Sequence, residues 1–347
     1  MEIQNHTFHY NQPFELESGE KLPGFQLRYT TLGKINSNRS NVVWVCHALT
    51  GSADVTQWWK ELFEEEGAFD PEHNLIVCAN TLGGCYGSTG PLSVNPETGK
   101  PWFHSFPLLT NRDVVKAFDL LREHLQLTNI HTIIGGSLGG QHALEWVIYR
   151  PNVFQQAILI ACNAVHSPWG IAFNEAQRMA IEADASWKNN DERAGLEGLK
   201  AARAIAILSY RQYSSFAKTQ EEKNTELIDG FRASTYQRYQ GEKLSMRFNA
   251  YTYWILSKMM DSHNVGRGRG SVEQALKQIE SRTLVIGIDN DLLFPVSEQA
   301  FIQRHIRSAE LKIISSTHGH DGFLIESDQL KKGINQFFKK SLSTIST

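Results

Sequence analysis

The sequence predicts an α/β fold, with a mostly parallel central sheet between layers of helix. Three observations carry this. Near-continuous apolar runs at 41–47 (NVVWVCH), Leu75–Ala79 (LIVCA), 157–162 and 283–288 have the texture of strands covered on both faces. Segments with helical periodicity separate them, as in repeated strand–helix units. The stretch 131–145, HTIIGGSLGGQHALE, reads as a strand, a tight turn bearing Ser137, and a helix.

The chain has 347 residues, 41% hydrophobic and 20% charged, with a formal net charge of -3. That is enough chain for a large core. Nothing in the charge draws it to nucleic acid or an anionic membrane. The opening MEIQNHTFHYNQ has no apolar secretory segment and no later run is long enough to span a bilayer, so the cytoplasm is expected. Cys46, Cys78, Cys85 and Cys162 show no CxxC or zinc-finger spacing and read as free thiols of a reducing compartment.

In chain order, residues 1–40 hold short strands, 25–29 among them, expected as an antiparallel lead-in to the sheet. Residues 80–107 are Gly-rich and aromatic, long for a plain turn, and read as a pocket-lining loop. They lack the GxxxxGK[ST] pattern of a phosphate-binding loop. A helix is expected at 113–125. Residues 163–273 are helical in texture and read as a lid inserted between two parts of the sheet domain, 1–162 and 274–347. A helix at 297–306 capped by Ser297, a strand at 311–315, a terminal helix at 324–339 and a frayed tail at 341–347 complete the expectation.

The spacing Gly135-x-Ser137-x-Gly139 fits the nucleophile elbow of an α/β-hydrolase. The backbone at such a serine is strained, and small neighbours let strand and helix approach. The same letters also occur in Gly-rich turns with a solvated serine, so partners must decide. A serine hydroxyl needs a base, and in this fold an acid and then a histidine follow the serine. Asp291, after the strand at 285–288, and His320, after the strand at 311–315, supply that order; Asp289 is a rival that suits a turn. A metal reading of His318, His320 and Asp321 has no second cluster behind it. Oxyanion donors are expected at the Leu138 N–H and, from the loop 46–51 (CHALTG), at the Leu49 N–H.

These segments, with NTLGGCYGSTGP at 80–91, GGSLGGQHALEW at 135–146, IAFNEAQRMAI at 171–181, GIDNDLLFP at 287–295 and GHDGFL at 319–324, closely resemble the homoserine O-acetyltransferase family. The resemblance implies an α/β-hydrolase core with a helical lid, homodimers formed through the lid, and Ser137, Asp291 and His320 as nucleophile, acid and base. It points to Arg203 and Tyr210, seven residues apart on one helical face, for homoserine recognition, and to Asp321 for the substrate amine. Arg178 is expected in lid packing or a salt bridge, and Arg267 and Arg269 near the phosphates of coenzyme A. The implied reaction moves acetyl from acetyl-CoA to L-homoserine for methionine biosynthesis, with acetyl-CoA as co-substrate and no metal or other cofactor. Succinyl transfer, transfer to serine, or a lidded serine esterase are alternatives on the same scaffold.

Overall fold

The computed structural model describes residues 2–344, and side chains as far as residue 340. The chain opens with β1 (Gln4–Tyr10), a two-stranded ribbon of β2 (Phe14–Glu15) and β3 (Lys21–Leu22), and β4 (Phe25–Gly33). Then come β5 (Val42–Cys46), β6 (Leu75–Ala79), a small hairpin of β7 (Val94–Asn95) and β8 (Lys100–Pro101), α1 (Asn111–His124), β9 (Ile130–Gly136), α2 (Leu138–Tyr149) and β10 (Phe154–Ile160). Six helices follow: α3 (Pro168–Glu182), α4 (Leu196–Tyr210), α5 (Tyr213–Thr219), α6 (Arg232–Ser245), α7 (Ala250–Asp261) and α8 (Val272–Leu276). The chain closes with β11 (Arg282–Ile288), α9 (Val296–His305), β12 (Ala309–Ile314), α10 (Gly322–Ile325) and α11 (Ser327–Thr344).

Eight strands form one sheet in the order β1-β4-β6-β5-β9-β10-β11-β12. β1 and β4 are the antiparallel lead-in, and every pairing from β6 to β12 is parallel. Side-chain alternation explains the continuous apolar runs. Val42, Trp44 and Cys46 of β5 enter the core on one face, while Val43 and Val45 enter the core on the other. Trp44 meets Trp146 of α2 edge to face at 4.9 Å.

Three boundaries differ from expectation for identifiable reasons. α1 starts at Asn111 because Thr110 and Asp113 form a capping box. α9 starts at Val296 with Pro295, not Ser297, at its N-cap. The fixed φ of the proline sets the start, and Ser297 falls inside the first turn. The terminal helix is split at Glu326 (φ -85, ψ 48). Residues 341–344, expected as a frayed tail, continue α11, and residues 345–347 lie outside the described residues. Among the described residues no helix is long and apolar enough to cross a membrane.

α2 lies so close to β5 that a Cβ on Gly139 would sit 2.0 Å from the Cys46 carbonyl oxygen. Neither backbone can yield without moving the sheet, so Gly139→Ala should lower the unfolding free energy by about 1–3 kcal/mol in urea titration.

Beneath α2, His263 and His166 are buried at the base of the helical insertion. Burial pushes His166 down to about 4 and His263 down to about 3, so both are neutral in the fold. Below pH about 6.5 the unfolded chain takes up protons that the folded histidines refuse, so stability falls as pH drops from there through 4. His263→Gln should remove about 1 kcal/mol per pH unit from that slope between pH 6 and 4, read from urea midpoints.

Candidate active site

Ser137 occupies the turn between β9 and α2 with φ 56 and ψ -125. A serine held there costs on the order of 1–3 kcal/mol. The surrounding backbone holds it: Ser137 N–H donates to the Ile160 carbonyl at 3.0 Å, and Gln141 N–H donates to the Ser137 carbonyl at 3.1 Å. The free N–H groups of the first turn of α2 lie beside its side chain's position at the helix start.

The C-terminal ends of β11 and β12 bring Asp291 and His320 to the serine. His320 Nε2 lies 2.9 Å from Ser137 Oγ, and His320 Nδ1 lies 2.7 Å from Asp291 Oδ2. The other oxygen, Asp291 Oδ1, accepts from the N–H groups of Leu293 and Phe294, each at 2.8 Å. The carboxylate is therefore fixed by backbone on one side and free to orient the imidazole on the other. Phe294 and Phe323 flank the imidazole, with ring centroids at 5.1 and 5.2 Å. All three side chains are buried. Asp289 is turned away and accepts from Ser315 Oγ at 2.7 Å and Ser316 N–H at 3.2 Å, a turn role.

The loop after β5 lies against the first turn of α2, which begins with Leu138. It folds as a tight turn, Gly51 N–H donating to the Ala48 carbonyl at 2.9 Å, with Leu49 inside it and buried. His47 sets this turn and was not singled out in the sequence. Burial lowers its imidazole to about 4, so it is neutral. Its Nδ1–H donates to the Ala48 carbonyl at 2.8 Å, and its Nε2 accepts from Thr81 N–H at 3.0 Å. Only that tautomer satisfies both contacts.

From the insertion, α4 presents Arg203 and Tyr210. The guanidinium carbon of Arg203 lies 5.5 Å from the Tyr210 ring centroid, and that ring lies 5.7 Å from His320. Burial raises the Tyr210 phenol above its ordinary value, and the Arg203 charge works against that rise. Asp321 sits beside them in a one-turn 3-10 helix, Gly319–Asp321, paired with Arg211 at 3.3 Å. Arg211 is the second residue that the sequence did not mark; it carries no motif signal and is known only by what it touches.

Arg178 is buried in α3 and bonded to Asp261 and Glu175, each at 2.5 Å, as a salt-bridged residue of the insertion. Arg267 and Arg269, expected near phosphates, are occupied otherwise. Arg267 pairs with Glu17 at 2.8 Å, and Arg269 forks onto the buried Glu145 of α2. Arg112 shares both carboxylates, at 2.9 Å from Glu17 and 3.3 Å from Glu145, so the two arginines belong to a structural ion-pair network. Among the described residues no three His, Cys, Asp or Glu side chains gather into a metal-holding group.

A family profile for the alpha/beta hydrolase fold matches residues 41–327. A homoserine O-acetyltransferase of Cyclobacterium marinum is 50% identical over 338 residues, 97% of this chain and 96% of that protein. Among solved structures, a homoserine O-acetyltransferase from Bacillus anthracis superposes with a TM-score of 0.91 at 22% identity, covering 96% of this chain and 97% of that one. Esterase E22 superposes with a TM-score of 0.89 at 22% identity, covering 97% and 100%. At that identity the two structures show the fold alone, which transferase and esterase share. The half-identical relative, matched over nearly its whole length, decides between them: the chain belongs to the homoserine O-acetyltransferase family of the α/β-hydrolase fold.

Proposed function

We propose that the protein transfers acetyl from acetyl-CoA to the hydroxyl of L-homoserine, giving O-acetyl-L-homoserine for methionine biosynthesis. The observation that carries this is the hydrogen-bonded line Asp291–His320–Ser137, with the Tyr210 ring 5.7 Å from His320, Arg203 over that ring, and Asp321 next in the chain to His320. His320 takes the Ser137 proton as Oγ attacks the thioester carbonyl. The Leu49 and Leu138 N–H groups stabilise the oxyanion, a donor of this kind contributing about 3 kcal/mol. The C–S bond breaks, His320 gives the proton to the departing sulfur, and CoA leaves as the thiol with the imidazole neutral again. Acetyl-Ser137 remains. Homoserine enters, His320 takes its hydroxyl proton, and the alkoxide oxygen attacks the acyl carbonyl. The ester bond to Oγ breaks, and His320 returns the proton to Ser137. Asp291 holds the imidazole in the tautomer that bears hydrogen on Nδ1.

The acceptor carries a carboxylate and an ammonium. Arg203 is assigned to the carboxylate, with Tyr210 closing the pocket beside it, and Asp321 to the ammonium. The reaction balances with acetyl-CoA as co-substrate and calls on no other cofactor. The helical segment 163–273 is read as the lid that excludes water while the acyl group waits. Exposed apolar side chains of this segment, Met179, Leu208, Tyr213, Tyr239 and Met246, support a homodimer formed through the lid. The absence of disulfides among the four cysteines supports the cytoplasm.

An esterase is the second reading, favoured by the fold shared with esterase E22. Rapid mixing with acetyl-CoA separates the two. An acetyl adduct should form on Ser137, be absent in Ser137→Ala, and be discharged faster by homoserine than by water. Equal discharge by water and saturating homoserine would favour the esterase. A steady-state comparison of acetyl-CoA with succinyl-CoA, each with homoserine or serine, tests the donor and acceptor. Arg203→Ala should raise the homoserine KM by roughly 10- to 100-fold, the worth of a lost charged hydrogen bond, while leaving acetylation of Ser137 by acetyl-CoA unchanged.

A further inference from the structure

The pocket carboxylate assigned to the acceptor's ammonium already has a cation beside it. Arg211 follows directly on α4, at its C-cap, with extended backbone. Its Nε lies 3.3 Å from Asp321 Oδ2, and both side chains are largely shielded, at 25% and 18% exposure. The contact is a loose one. Nε–H is buried yet has no acceptor in hydrogen-bonding alignment, so the pair is coulombic rather than a two-pronged fork. The remaining nitrogens are engaged elsewhere: Nη1 lies 3.2 Å from His318 Nδ1, and Nη2 donates to the Tyr236 hydroxyl on α6 at 3.4 Å.

The backbone around this pair is tightly fitted. Gly319, one residue before His320, has φ +62, and a Cβ there would lie 2.9 Å from the Tyr210 carbonyl oxygen and 3.1 Å from Gln212 N. The histidine loop and the α4–α5 junction are thus in direct backbone contact. Arg211 therefore cannot drift far, and its Nη1 and Nη2 contacts with His318 and Tyr236 do not depend on Asp321.

We propose that Arg211 is the resident counter-cation of Asp321 and that the acceptor's ammonium displaces it, so that acceptor binding is an exchange of one cation for another. This rests on the reading of Asp321 as the ammonium partner. Two cations on one carboxylate repel each other, whereas an ammonium has three turnable donors that can align where Nε does not. With no acceptor bound, Arg211 keeps Asp321 compensated and the histidine loop docked. A neutral hydroxyl compound or water leaves the pair intact and gains nothing from it. Arg211 is a positioning residue: it acts on the acceptor through Asp321 and sets KM rather than the chemical step.

The test measures the L-homoserine KM with acetyl-CoA for the full-length wild type, Arg211→Gln, Arg211→Lys, Asp321→Asn and the double variant Asp321→Asn/Arg211→Gln. Discharge of acetyl-Ser137 by 4-hydroxybutyrate, an acceptor without the amine, is the control. Arg211→Gln should lower the homoserine KM by roughly three- to fivefold, the span of a partly screened ion pair, and leave the 4-hydroxybutyrate KM unchanged. Arg211→Lys should fall between Gln and wild type. In the Asp321→Asn background Arg211→Gln should have no further effect.

A homoserine KM that is unchanged or raised in Arg211→Gln overturns the proposal, as does an equal change for both acceptors. If Asp321→Asn leaves the homoserine KM unchanged, the ammonium reading fails and the exchange fails with it. If Asp321→Asn raises KM but Arg211→Gln acts equally in both backgrounds, only the exchange fails. Formation of acetyl-Ser137 without acceptor reports folding. Should Arg211→Gln not acetylate, Arg211→Lys decides, and a KM at or above wild type overturns the exchange.

Discussion

The site depends on one close approach, that of the first turn of α2 to the C-terminal end of β5. Gly139 lies against the Cys46 carbonyl with no room for a Cβ. That contact holds the helix start where Ser137 must adopt φ 56, a conformation its own chemistry disfavours. It also brings the turn containing Leu49 alongside Leu138. Strain at the serine and the close fit of the loop after β5 against the start of α2 are two consequences of the same packing. The free energy for both comes from the apolar layers around β5 and α2, where Trp44 and Trp146 are fully buried.

A second constraint ties the insertion to this core. Gln141, one turn beyond Ser137, donates to Asn163 at 2.9 Å, and Asn174 of α3 reaches His166 at 3.3 Å and Asp261 at 2.8 Å. Arg178 closes the line onto Asp261. These groups are buried and largely paired with one another, so separating the insertion from α2 would strand several polar groups at once. The arrangement fixes α3 and α7 relative to the serine, and through α3 it fixes α4, which carries Arg203 and Tyr210.

Much of this is legible in the sequence. The strands 42–46 and 75–79 announce themselves because burial on both faces leaves no polar alternation to confuse them. The order Ser137, Asp291, His320 is legible because the fold places each after its own strand. The helix starts are less legible. A capping box at Thr110 and a proline at 295 moved α1 and α9, since a cap is decided by which side chain reaches a free N–H. Arg267 and Arg269 look like free cations in the sequence, and only the fold brings Glu17, 250 residues from Arg267, and Glu145 against them.

The sequence alone therefore determined the alternation of strands and helices, the elbow and the order of its partners, because these follow from local periodicity and small-residue spacing. The tertiary structure alone decided which charges are spent and which remain. Asp321 and Arg211 stand 110 positions apart in the chain and meet because the histidine loop and the α4–α5 junction touch backbone to backbone. The neutral tautomer of His47 is likewise a property of two contacts, with Ala48 and with Thr81, that no local pattern encodes. Electrostatic partnership depends on distance and burial, and both are products of the fold.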